Sequence, residues 1–418
     1  MLGGKFGPLR ERQFRLLWSG RVSSFLGDAI VPVALAFAVL SISRSVSALG
    51  AVLAAFTVSR VALTLVGGVY ADRLPRRAVM LVCDGVRAIV EAFIATMLLT
   101  GQMTLTLFVV AMAIFGAASA FFLPASTGLV PQTVSPERLQ EANALLGVAR
   151  TAANVFGPAV SGLLVALVGA GWVFALDAAS FVASAYFLLQ LQLPAHERPP
   201  KSHFLTDLAK GLHEVRARSW VWTSMVAFSV TNLCFGAFMV LGPVIARDDL
   251  GGARAWGMIS TGGALGAVAG GMVALRVRPP RPLFAGFSAW VLCALPLLAV
   301  APPLPAIGIA LAYAVGMGGI SFGQALWETT LQARIPPQVL SRVSSYDWLV
   351  SLGFMPIGFL LFGPVAQAVG LTTTLVAAAG VMAATNLVVA FVPAVHDVAT
   401  VRPSPPPVPQ AAETRAAA

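Results

Sequence analysis

Five ionisable residues sit where the sequence around them is apolar. Asp28, Arg60, Asp84, Arg87 and Glu91 all fall inside runs long enough to cross a bilayer. Charges at such depth are expensive, so they are kept mainly for carrying ions or holding substrate. Two chemistries compete for Asp28. Without a partner it can bind and release a proton; paired with Arg60, which can share its depth in the next run, it stays ionised and acts as a structural or gated pair. Glu91 is similarly deep, with Arg87 and Asp84 one and two turns toward the start of its run. Arg87 offers Glu91 a counter-charge, so Asp28 is the leading proton carrier. A second charged group lies between two runs: Asp72, Arg73, Arg76 and Arg77 within GGVYADRLPRRAVML. A loop that cationic stays on the cytoplasmic side.

Other chemistries find little support. Hydrophobic residues make up 58% of the 418 residues and charged ones 11%, against roughly 25% charged in ordinary soluble domains. The net charge of +10 is spread through short loops and not gathered on one polar face, which speaks against nucleic acid. Cys83, Cys234 and Cys293 lie in apolar runs at unrelated spacings and read as packing residues, without a metal site. His196, His203, His213 and His396 fall in polar stretches with no nucleophile nearby, and read as surface residues. No GxxxxGKS phosphate loop is present, so no cofactor is expected and energy must come from a gradient.

The elements that position these residues are apolar runs. Residues 1–21 carry five cations, and the run that follows reaches about Leu40; Asp28 within it argues against a cleaved signal peptide. Further runs lie near 47–71, 78–100, 105–129, 143–168 and 172–191, and after a polar interval near 219–245, 255–275, 282–300, 305–327, 345–368 and 372–394. A helix needs about 20 residues to span, and none of the twelve is short enough to dismiss. The interval 192–218 places Phe204, Leu208, Leu212 and Val215 at helical spacing, with Lys210, Arg216 and Arg218 around them. That pattern suits an amphipathic helix on the membrane surface or a solvated linker helix. From residue 395 a proline-rich tail is expected to be disordered. With twelve spans and both termini inside, 21 of the 27 Lys and Arg face the cytoplasm. Arg60, Arg87 and Arg150 lie in spans, and Arg44, Arg247 and Arg254 outside; Arg150, near the inner end of its run, is explained by snorkelling. Asp177, early in the sixth run, reads as an ordinary acid at a helix start.

The halves repeat. SPERLQEANALLG and Gly157 align with PPQVLSRVSSYDW and Gly358 at an offset of 201 residues, and GGVYADRLPRR has a worn copy in GGMVALRVRPPR. Gly68, Asp72, Arg73 and Arg77 at this spacing resemble the signature between helices 2 and 3 of the major facilitator superfamily, with Tyr70 and Pro75 departing from its commonest form. NVFGPAVSG, with Gly157, Pro158 and Gly162, resembles the helix 5 element of the superfamily's antiporters, with Ser161 in place of a glycine. FRLLWSGRVSSFLGDAI and WETTLQARIPPQVLSRVSSYDW resemble the bacterial exporter branch that includes macrolide efflux and enterobactin export proteins.

The resemblance implies an all-α membrane protein of twelve helices in two pseudo-symmetric six-helix bundles, residues 1–191 and 219–394, joined by the linker 192–218. It implies that Asp72 meets the start of helix 11, where Asp347 can take Arg73 or Arg77 as partner. It also implies that helix 5 meets helix 8, whose Gly262, Gly266 and Gly270 form a GxxxG face suited to a sliding contact. The implied function is proton-coupled efflux of small amphipathic compounds by alternating access, from the cytoplasmic membrane and as a monomer. A dedicated exporter of one metabolite or siderophore is the alternative within transport. A facilitator-fold sensor or assembly partner is an alternative of another class, against which the costly intramembrane charges count.

Overall fold

The computed structural model describes residues 7–43, 45–192 and 212–399, without the side chains at 65–73, 123, 337–338, 341–342 and 345. The described residues form twelve long helical segments and no strand. In the first half these are α1 Arg12–Ile42, α2 Val46–Arg73, α3 Arg76–Leu99, α4 Leu105–Leu129, α5 Leu139–Val168 and α6 Ala170–Leu189. In the second half they are α7 Ser219–Asp249, α8 Ala253–Arg276, α9, α10 Ala306–Arg334, α11 and α12 Leu371–Phe391. α9 runs from Pro282–Trp290 through a 3-10 turn, Val291–Cys293, into Ala294–Val300. α11 has two pieces, Pro337–Gly353 and Met355–Val369. The irregularities coincide with Pro296 and Pro356, each lacking the amide that would bond the carbonyl one turn back.

Eleven segments are long and apolar enough to cross a membrane. The exception is α3, whose 24 residues would span but include Asp84, Arg87 and Glu91. What sets α3 apart is the number of charges it carries, and Asp84, Arg87 and Glu91 are all buried.

Lipid is as apolar as a leucine side chain, so helices in a membrane associate through close packing of small residues. α8 and α10 show this most fully: a Cβ on Gly266 would fall 1.9 Å from the Ala314 carbonyl oxygen, and one on Gly270 2.0 Å from that of Gly318. The GxxxG face expected to slide against α5 is thus committed to α10. α5 is met one turn earlier, by Ala253 and Gly257: a Cβ on Gly162 would lie 2.5 Å from the Ala253 oxygen, and one on Gly257 2.5 Å from that of Pro158. α3 packs on α4 and α6, α1 on α5 and α6, and α2 on α4; α9, α10 and α12 pack together in the second half. The halves meet along α5 with α8 and α2 with α11. At the α2 contact, a Cβ on Gly50 would fall 2.0 Å from the Phe359 oxygen, and one on Gly363 2.7 Å from Ser47 Oγ. Gly50, Gly162, Ala253 and Gly363 all lie toward the end of the molecule opposite the start of α1; this is the far end, and the start of α1 the near end.

At the near end, polar ties hold the first half together. Glu11 accepts from the Ser135 amide at 2.9 Å and its hydroxyl at 2.8 Å, and Arg138 donates to the Gly7 carbonyl at 3.0 Å. Of the linker, Phe204, Leu208 and Lys210 lie outside the described residues, whereas Val215 is buried in the second-half core. Beyond it the Arg218 guanidinium, hydrogen-bonded to Glu214, holds that carboxyl below the usual range. The first residues of the expected tail are packed: Val395 and Val398 are buried and Arg334 donates to the Ala399 carbonyl at 2.6 Å. His396, read as a surface residue, stacks on Phe391 and lies 2.9 Å from Arg281. Phe391 covers its face, and Phe284 meets it edge-on.

Candidate functional site

The site grows from three helices of the first half. In α1, Pro32 removes the amide that would bond the Asp28 carbonyl, leaving polar backbone at that level. One residue earlier, Gly27 lets α6 come so close that a Cβ there would fall 2.0 Å from Asp177 Oδ1 and 2.2 Å from Ser180 Oγ. Asp177 is fully buried; Oδ1 accepts from Ser180 Oγ at 3.0 Å, and Oδ2 has no partner.

On α3 the charges sort themselves by depth. Arg87 is ion-paired with Asp84, and its guanidinium lies between the rings of Phe122 at 3.9 Å and Phe181 at 4.2 Å. Asp84 takes a further hydrogen bond from Ser184 Oγ at 2.7 Å. Arg87 is therefore ion-paired with Asp84, one turn toward the near end; it lies within electrostatic range of Glu91 but makes no hydrogen bond or ion pair with it. That corrects the expectation that Arg87 would neutralise Glu91. Glu91 is fully buried and neither carboxyl oxygen has a hydrogen-bond partner.

Helix register brings the remaining acids to one level. α3 and α6 run antiparallel: Asp84 meets Ser184, and Gly171 meets Leu98 and Leu99. Glu91 then falls opposite Asp177. On α1, Gly20 meets Ser184 and Gly27 meets Asp177, which sets Asp28 at the same level. Glu91, Asp177 and Asp28 lie within electrostatic range of one another. Asp28 is exposed, accepting only from Ser24 Oγ at 3.3 Å. Among the described residues, none of the three carboxyls is in an ion pair. The α1–α2 hairpin puts Arg60 at this depth, within range of Asp28, but its guanidinium sits over Phe56 at 5.8 Å, so of the two arrangements open to Asp28 the ion pair is not formed here. Chemically, this is a cluster of carboxyls short of donors, with one member reaching open space: a place where protons can be held and handed on.

The gating residues fare differently. Gly68, Asp72 and Arg73 lie outside the residues whose side chains are described. Arg77 donates to the carbonyls of Leu188 at 2.7 Å and Leu189 at 2.6 Å, capping the end of α6. Asp347 is buried, accepting from Trp327 Nε1 at 2.9 Å and Ser351 Oγ at 3.1 Å. Asp347 and Arg77 are not linked to each other here; each is satisfied within its own half. In the helix 5 element, Gly157 packs on α1 against Ala29, whereas Pro158 and Gly162 face α8. Ser161, in the glycine position, donates to the Ile30 carbonyl. Cys83, Cys234 and Cys293 are free and buried.

Asp177 was missed by sequence reasoning, which read it as a helix-start acid. A signal existed: Asp177, Ser180 and Ser184 form a polar stripe at helical spacing, facing the stripe of Asp84, Arg87 and Glu91. Arg21, counted among the N-terminal cations, instead lies along α1 with its guanidinium 4.5 Å from the centre of the Phe25 ring and 4.9 Å from that of Phe122.

Helices arranged in this way recur in known proteins. The structure resembles that of a bacterial homologue of the human lysosomal transporter Spinster, inward-facing and unoccupied (TM-score 0.70, 15% identity, 92% of this chain and 96% of that one). It also resembles the nucleoside transporter NupG (TM-score 0.69, 14% identity, 90% and 97%). In sequence, the chain is 27% identical over 390 residues to the multidrug efflux pump Tap of Mycobacterium tuberculosis, covering 89% of this chain and 91% of the pump. It is 28% identical over 308 residues to the enterobactin exporter EntS of Salmonella choleraesuis, covering 72% of each. The family model for transmembrane secretion effectors matches residues 3–414, nearly the whole chain. With twelve helices in two halves and this match from end to end, the chain belongs to the transmembrane secretion effector family of major facilitator transporters.

Proposed function

We propose that the chain exports small amphipathic molecules from the cytoplasm in exchange for protons, by alternating access, as a monomer in the cytoplasmic membrane with both termini inside. The observation that carries this reading is Glu91, buried with both carboxyl oxygens unpartnered, beside Asp177 and level with Asp28. Burying an ionised carboxylate without a partner is costly, and a proton relieves the cost. Exposed Asp28 offers the route between that pair and water.

The orientation rests on the cations: with the near end cytoplasmic, the positive loops face inward. The α5–α8 and α2–α11 contacts then close the outer side, so this conformation opens inward. In the cycle, substrate enters from the cytoplasm as the acid cluster gives up protons inward. The halves rock, the contacts at Gly162 and Gly50 part, and reprotonation from outside accompanies release. Asp72 and Arg73 at the end of α2 are proposed as the inner latch of the outward-facing state, with Asp347 freed from Trp327 to meet Arg73 or Arg77.

A dedicated exporter of one metabolite or siderophore is the second reading, favoured by the similarity to an enterobactin exporter. The test is accumulation of amphipathic dyes of both charges in inside-out vesicles energised with an inward-acid gradient. Accumulation abolished by a protonophore is expected; accumulation indifferent to the protonophore would contradict proton coupling.

A further inference from the structure

The acid cluster leaves three arginines unexplained. The guanidinium groups of Arg21 on α1, Arg60 on α2 and Arg150 on α5 make no hydrogen bond or ion pair among the described residues. Register places two of them together. Gly157 of α5 packs on Ala29 of α1, and these helices run in the same direction, so Arg150, two turns before Gly157, comes level with Arg21. The two lie within electrostatic range of each other. Both are two turns nearer the cytoplasmic end than the Asp28 level. Arg150 is exposed and Arg21 half-buried. A guanidinium facing lipid at this depth would be costly, and Arg150 lies on the face of α5 that turns Gly157 toward α1.

Arg21 is also held in shape. The Phe25 and Phe122 rings lie on it, and Phe122 carries Arg87 as well. Stacking fixes the guanidinium plane and leaves its edge donors unused, an arrangement suited to a two-pronged hydrogen bond to a carboxylate, phosphate or phenolate. Snorkelling, which explains an arginine at a helix end, does not explain one pinned between two rings. The balance of charge agrees: Arg21, Arg60 and Arg150 are set against one exposed acid, Asp28, because Glu91 and Asp177 are buried and Asp84 is taken by Arg87.

We infer that Arg21 and Arg150 form an anion-binding subsite in the inward-facing cleft, and that the exported molecule carries an acidic group together with an aromatic or apolar body. The acidic group docks on the two guanidinium edges, and Phe25 takes the neighbouring ring. This deepens the proposed export function by naming the substrate class, but its test needs no gradient.

The full chain in phosphatidylcholine nanodiscs is titrated with fluorescein, an anionic xanthene, and with tetramethylrhodamine methyl ester, a cationic one, and binding is read by fluorescence anisotropy. Fluorescein is expected to bind more tightly, with affinity falling tenfold or more in Arg21→Gln and in Arg150→Gln, while rhodamine binding holds or improves. Arg21→Lys should recover only part of the loss, because an ammonium cannot present two donors in one plane. Size-exclusion profile and melting temperature establish that each variant is folded, and Arg150→Gln, on an exposed position, carries the test if Arg21→Gln does not fold. Tighter binding of the rhodamine, or unchanged fluorescein affinity in both glutamine variants, would overturn the assignment. So would displacement of fluorescein by phosphatidylglycerol in the disc, which would give the site to a lipid headgroup. Binding with these properties but no proton-driven transport would sink the export mechanism and leave the subsite standing.

Discussion

At the scale of single residues, α3 separates two kinds of buried charge. Asp84 and Arg87 are a satisfied pair, locked by Ser184 and by two phenylalanine rings. Removing one partner of such a pair strands the other, so Asp84→Ala should cost about 3–5 kcal/mol, read as a lowered melting temperature in detergent. Glu91 is the opposite case. Glu91→Gln removes a titrating group without removing a counter-ion, so it should leave the melting point unchanged or raised while abolishing proton-driven transport. Gly27→Ala is predicted to behave as an indirect version of the same lesion: its Cβ would meet Asp177 Oδ1 at 2.0 Å, pushing α6 away and weakening transport at least tenfold. The sequence showed Asp28, Arg60 and Glu91 as charges in apolar runs, but not which acid Arg87 serves. Spacing allows Arg87 to reach either neighbour on its own helix, and Ser184, a hundred residues later, settles it for Asp84. Asp177 was hidden for a similar reason: a helix-start acid and a buried acid look alike until the facing glycine is known.

Among the helices, the glycines decide what moves and what does not. Gly266 and Gly270 seat α8 on α10 within one half, whereas Gly162 and Gly257 join the halves. Substitutions at the two places should therefore differ in kind. Gly266→Val overpacks a permanent contact and should cost about 1–3 kcal/mol of stability. Gly162→Val wedges a contact that the proposed cycle parts; it should leave melting nearly unchanged and shift the conformational balance toward outward opening, read by spin-label distances across the α5–α8 contact. The twelve helical segments were legible because apolar runs of spanning length leave little freedom. The role of the Gly262, Gly266 and Gly270 face was not, because a GxxxG repeat says that a helix comes close and not which one. Asp347 illustrates the same limit: its place near the start of α11 was evident, but Trp327 as its partner depends on how α10 leans.

For the whole molecule, the two halves divide the chemistry unequally. The first holds the acids of α1, α3 and α6 and the arginines of α1, α2 and α5; the second packs aromatic side chains, Phe228, Trp290 and Trp327, on one another in its core. In the proposed mechanism, proton handling at Asp28 and substrate charge recognition at Arg21 sit together on α1, two turns apart, so that a change at one should be felt at the other. Orientation has its own check: a cysteine at Gly251 should react with an impermeant maleimide from outside intact cells, and one at Ser135 only after permeabilisation. The central claim is that the carboxyls of Glu91 and Asp177 exchange protons with substrate. It is tested most directly by adding a transported dye to purified protein in weakly buffered detergent at neutral pH and following a pH indicator. Wild type is predicted to release protons as the dye binds, and Glu91→Gln and Asp177→Asn to bind the dye with that release reduced or lost. Dye binding with no proton release from the wild type, or undiminished release from both variants, would contradict the account.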